Sequence, residues 1–147
     1  MSLSNVTTRD GFEYWLASLD DMLEVFLSRL PAEGRARLDF SPESLDVLEA
    51  WILTRYSATG AMLVSTERDV VNGLACYIGE TYRKAVGGHW DICLDDTKSV
   101  FYGLPILVWN DGKPKSECPL TLATASANRR TGKYLRTVLQ NLLPKHP

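Results

Sequence analysis

The chain has 147 residues, of which 45% are hydrophobic and 23% charged, with a formal net charge of −2. That length supports one globular domain over residues 1–147, and the composition excludes disordered and fibrous classes. So small a charge argues against nucleic acid as a partner, and no apolar run approaches the roughly 18 residues that would span a bilayer.

The three cysteines, Cys76, Cys93 and Cys118, are odd in number and far apart. Their spacing fits neither a disulfide framework nor a zinc site, and points to a soluble protein of a reducing, cytoplasmic compartment. Charge is unevenly placed. Residues 1–64 carry ten acids and five bases, whereas residues 65–147 carry eight acids and eleven bases.

The first element is a long helix over residues 8–30. Phe12, Trp15, Leu19, Met22, Leu23 and Phe26 recur at steps of three and four, Thr7 and Asp10 read as a capping box, and Pro31 ends the run. A second helix is predicted over residues 41–56, because Ser41 can cap, Pro42 suits a first helical position and Glu43 favours the positive end of the dipole. Residues 57–60 then form a turn. The third helix is predicted from Thr66 to a stop at Gly87 and Gly88. Inside it, Gly73 and Gly79 each cost about 1 kcal/mol relative to alanine unless something packs closely there, which predicts a crowded, central helix.

Residues 89–94 alternate, with Trp90, Ile92 and Leu94 on one face and His89, Asp91 and Cys93 on the other, as in a half-buried strand. A polar loop leads to a second strand over residues 100–109, where Gly103 and Pro105 predict a bulge or edge position. The two make an antiparallel hairpin. Asn110, Asp111 and Gly112 mark a turn, and residues 113–118 read as polar loop. Residues 120–130 suit strand or helix, and we favour helix for the alanines and for Pro119 at its start. A last helix carries Tyr134, Leu135, Val138, Leu139 and Leu142, and Pro144 closes it. The expected fold class is therefore α+β, mainly helical, with three N-terminal helices and a C-terminal helical segment around a small hairpin.

Candidate chemistry concentrates between Tyr77 and Asp91. Glu80, His89 and Asp91, if brought into one cleft, would supply a general acid and base or metal ligands for a small hydrolase. Against this, Glu80 falls opposite the apolar stripe of its helix with Lys84 four residues on, the order of a solvated ion pair, and that reading is preferred. Only His89 and His146 are available as histidines, so no metal site is assigned. Cys118 before Pro119 is the only thiol near a helix start, and it lacks a paired histidine. No phosphate loop, dinucleotide fingerprint or nucleophile elbow occurs, and no cofactor is expected.

For binding, the candidates are Tyr77, Arg83, Trp109, Arg129 and Arg130. Arg129, Arg130, Lys133 and Arg136 form a basic cluster, preferred as a solvated face that balances the acidic half. Trp15, Trp51 and Trp90 are expected in the core, while Trp109 beside a turn is expected to be partly exposed as a partner anchor.

The segment Tyr77-Ile78-Gly79-Glu80, followed by Gly87-Gly88-His89-Trp90, resembles a helix-to-strand element of small bacterial domains of uncharacterised function, over about residues 70–120. It is also similar to segments of toxin-neutralising immunity proteins, a resemblance that implies protein binding without catalysis. The expected function is a protein-binding module recognising a basic partner, with the Glu80, His89 and Asp91 enzyme as the alternative.

Overall fold

A computed structural model of the protein describes residues 7–110 and 116–143. The helices are α1 (Arg9–Ala17), α2 (Leu19–Ser28), α3 (Ala32–Arg35), α4 (Ser44–Arg55), α5 (Thr59–Met62), α6 (Arg68–Val86), α7 (Pro119–Arg129) and α8 (Tyr134–Leu142). Strands β1 (Gly88–Ile92), β2 (Pro105–Trp109) and β3 (Ser116–Glu117) form one antiparallel sheet in the order β1-β2-β3. The fold is α+β and mostly helical, as the sequence patterning predicts.

The predicted first helix is divided at Ser18. There the Ser18 hydroxyl donates to the Tyr14 carbonyl at 2.9 Å, and the Ser18 N–H is shared between the carbonyls of Tyr14 and Trp15, both at 3.1 Å. A serine that bonds back to the preceding turn in this way bends a helix. The N-cap is Thr8, which accepts from the Gly11 N–H at 2.9 Å, one residue later than expected. Helix α4 begins at Ser44 with Glu43 at its N-cap and no side-chain cap bond, so Ser41, which accepts from Ser44 N–H at 3.2 Å, closes the turn that leads into the helix instead of capping it. Two short helices add to those predicted: α3 follows Pro31, and α5 begins within the turn predicted over residues 57–60. The second strand is only five residues long, since residues 101–104 turn before Pro105 and pairing begins at Ile92 with Pro105. Part of the predicted loop after it pairs instead, as β3. The remainder of that turn, with Asp111 and Gly112, lies outside the described residues, as do His146 and the helix stop expected at Pro144.

Helix α6 is the centre of the molecule, with every residue from Val70 to Tyr82 buried. A Cβ on Gly73 would lie 2.4 Å from Cβ of Phe26 on α2, and one on Gly79 would lie 2.1 Å from Cη2 of Trp90 on β1. Both glycines let a neighbour touch the helix backbone, which is the crowding their cost implied. Gly87, at φ 84, takes the positive φ that ends the helix and turns the chain into β1. The rings of Trp15 and Trp90 meet edge to face at 5.0 Å, and each donates its indole N–H to α6: Trp15 to Asn72 at 3.1 Å and Trp90 to Glu80 at 3.0 Å. Trp51 is only half-buried, edge-on to Phe26 and Tyr56.

Candidate functional site

Glu80 does not form the solvated pair with Lys84 that the helical wheel suggests. It is 9% exposed and its carboxylate holds three hydrogen bonds. Oε2 accepts from Arg83 Nε at 2.8 Å and Trp90 Nε1 at 3.0 Å, and Oε1 accepts from Arg83 Nη2 at 3.1 Å. The wheel misplaces it because α6 has no solvated side here: α2 and β1 cover the face opposite the stripe. Burial acts to raise the carboxyl's pKa, but the bonds from Arg83 and Trp90 and the charges of Arg83 and Lys84 outweigh it and hold the group below 4.5, the ordinary value. A carboxyl held in its ionised form by these three hydrogen bonds is poorly suited to donate a proton at neutral pH, and in the fold it positions Trp90 and Arg83.

An open pocket of about 310 Å³ lies beside this triad, lined by Leu16, Leu19, Asp20, Glu80, Arg83, His89 and Trp90. Two of the three residues expected to converge therefore line one pocket. Asp91 lies outside that pocket, with its Oδ1 accepting from Arg9 Nη1 at 3.2 Å and from the Ile92 N–H at 2.8 Å. His89 is exposed on the strand. Among the described residues no group of three or more His, Cys, Asp or Glu side chains is placed to hold a metal ion.

The thiols divide by depth. Cys76 and Cys118 are buried; burial pushes Cys76 up to about 12 and raises Cys118 as well, so neither is a ready nucleophile. Cys93, one residue past the end of β1, is half-buried.

The residues expected to bind a partner are mostly turned to structural use. Tyr77 is fully buried, and its hydroxyl accepts from the Phe40 N–H at 2.9 Å and lies 2.7 Å from the Ser44 hydroxyl. Trp109, expected as an exposed anchor, is 5% exposed. Its ring packs where Gly88 leaves room, on a central strand paired on both sides, with β1 and β3. Arg130 closes the end of α4, donating to the carbonyls of Tyr56 at 3.0 Å and Leu53 at 2.9 Å. Arg129 stands over the Tyr134 ring at 5.0 Å, and Arg136 pairs with Asp46 at 2.9 Å. Of the basic cluster, Arg130 and Arg136 thus reach α4 and its C-cap, while Arg129 stays against α8.

The sequence reading missed the outward face of α1 and α2. Asp10, Glu13, Tyr14 and Ala17 are exposed on α1, and Asp21, Glu24, Val25 and Ser28 are exposed on α2. Each residue of the second set stands eleven places after its counterpart, about three helical turns, so acid, acid, apolar and small side chains recur in the same arrangement. Tyr14 is 65% exposed and Val25 53%. None of the four acids enters an ion pair among the described residues. The signal was available as an eleven-residue offset, hidden because attention to the apolar stripe reads only the buried side. Two buried polar residues were missed as well. Asn72 on α6 receives Trp15, and Glu49 on α4 accepts from the N–H groups of Tyr134 at 3.2 Å and Leu135 at 2.8 Å.

No helix among the described residues is long and apolar enough to cross a membrane. Compared with protein-family models, with curated proteins and with solved structures, the chain finds no match.

Proposed function

We propose that this protein is a non-catalytic binding module, cytoplasmic and reduced, whose partner is another protein with a basic surface. The observation that carries the reading is the outward face of α1 and α2, where Asp10, Glu13, Asp21 and Glu24 surround the exposed Tyr14 and Val25. Arg55 pairs with Glu67, Arg83 with Glu80 and Arg136 with Asp46 within the fold, whereas none of these four acids has such a pair among the described residues. On this face negative charge is left for something outside the chain, and complementary fields of this kind set partner choice and speed of encounter. An aromatic ring among the charges provides the apolar contact that charge alone lacks. The resemblance of residues 70–120 to toxin-neutralising immunity proteins gives such a partner a class, a basic protein toxin.

The test compares wild type with the combined change Asp10→Lys, Glu13→Lys, Asp21→Lys and Glu24→Lys, all at exposed positions, after circular dichroism has established that the two fold alike. Immobilised wild type should retain a discrete basic protein from lysate of the source cells, in a salt-sensitive manner, and the reversed variant should lose it. Retention of the same proteins by both, or retention of proteins without a basic surface, overturns the reading.

A further inference from the structure

We propose that the groove between α2 and α6 is the anchoring pocket for a lysine-bearing segment of the basic partner, with the Asn72 side chain donating to a main-chain carbonyl of that segment. This rests on the reading above and gives it an address. The groove holds about 210 Å³, with Met22, Val25 and Phe26 as apolar walls and Asn72 among its lining residues. It opens on the acidic face, since Asp21 and Val25 belong to both.

Asn72 is 2% exposed, and its orientation is fixed from behind. An indole N–H only donates, so the bond from Trp15 requires the amide oxygen to face Trp15 and turns the amide nitrogen towards α2. There its acceptor is the Met22 sulfur, at 2.7 Å. A thioether is a weak acceptor, and a buried amide donor held by one gains when a carbonyl replaces it. Met22 is unbranched and can swing aside at low cost. The apolar walls suit the aliphatic stem of a lysine, and Asp21 at the rim suits its ammonium group. Arg29 is the one base of the lining, and the exposed Glu24 stands beside Val25 on the same acidic face.

The test is a titration of the isotopically labelled full chain with acetyl-Gly-Lys-Gly-amide and, separately, acetyl-Gly-Glu-Gly-amide, each to millimolar concentration, followed by nuclear magnetic resonance. The lysine peptide should shift the Asn72 side-chain amide and the Met22 methyl in a saturable manner, and the glutamate peptide should not. Met22→Leu, which keeps side-chain volume while removing the competing sulfur, should tighten the lysine peptide several-fold. Shifts confined to α1 and α2 surface amides such as Glu13 would overturn the groove and leave the basic-partner reading standing. Absence of any shift, or equal response to both peptides, would overturn the groove, while the charge-reversal comparison judges the partner independently.

Discussion

Trp90 donates its indole N–H to Glu80 at 3.0 Å, and the residue before that glutamate, Gly79, leaves the space in which the indole lies. Strand β1 is thereby fastened to the central helix by one ring and one carboxylate. Glu80→Gln keeps an acceptor for Trp90 but removes the charge that binds the Arg83 guanidinium. Hydrogen bonds to charged groups contribute about 1.5–3 kcal/mol, so we expect a loss of that order. For a chain of this size it corresponds to a melting point lowered by roughly 3–10 °C. Calorimetry at neutral pH reads it directly. An unchanged or raised melting point would free the carboxylate from its structural role and return it to the functional candidates.

The same pair makes stability depend on acid. Burial raises the Glu80 carboxyl but is outweighed by Arg83 and Trp90, and Glu67 is lowered chiefly by its hydrogen bonds from Arg55. A carboxyl whose folded pKa lies below its unfolded one stabilises the fold fully above the unfolded value, here 4.5, and loses that contribution as pH falls through the folded value. The stability difference between wild type and Glu80→Gln should therefore be constant around neutrality and shrink below 4.5. Urea denaturation across an acid series measures it. A difference that grows with acid would mean the carboxyl is raised in the fold and would restore it as a general-acid candidate.

Periodicity located the helices because apolar spacing is a local property, and Gly73 and Gly79 announced crowding because glycine inside a helix needs a reason. What stayed hidden is what depends on distant partners. Glu80 looked solvated because its wheel position says nothing about α2 and β1 lying across it. Trp109 looked exposed because β3, two residues long, has no readable pattern of its own. Glu49 stands in α4 eighty-five residues before the amide it binds, a separation no local rule spans. The candidate site was legible only in part for the same reason: Glu80 and His89 line one pocket, and Asp91 is bonded instead to Arg9 at the start of α1.

Gly79→Ala and Gly73→Ala test the crowding. In an open helix each change would gain about 1 kcal/mol from propensity. Here the added methyl lies 2.1 Å from the Trp90 ring in one case and 2.4 Å from Phe26 Cβ in the other, so overpacking of about 1–3 kcal/mol should prevail. Gly34→Ala, with nothing within 4 Å of its Cβ, is the control and should be neutral or stabilising. Gly79→Ala should also shift tryptophan fluorescence, since the indole must move from Glu80. Stabilisation by either buried change would mean that α6 packs less closely than described.

Glu49 holds the start of α8, and both main-chain polar groups of Leu135 are held: its N–H donates to Glu49, and its carbonyl accepts from the Tyr82 hydroxyl. A buried carboxylate facing a helix N-terminus satisfies free amides and favours the dipole. Glu49→Ala removes the acceptor and leaves a void, for an expected cost of about 2–4 kcal/mol. Glu49→Gln retains an acceptor and should cost about half as much, or less. The discriminating measurement is hydrogen exchange at Leu135 and Leu139. If Glu49 clamps α8, Glu49→Ala speeds exchange there beyond the change in global stability, because the helix can then open while α4 and α6 stay packed. Exchange that rises equally throughout α4, α6 and α8 would mean that α8 unfolds only with the whole core, and that its attachment rests on Leu135 and Leu139 rather than on the carboxylate.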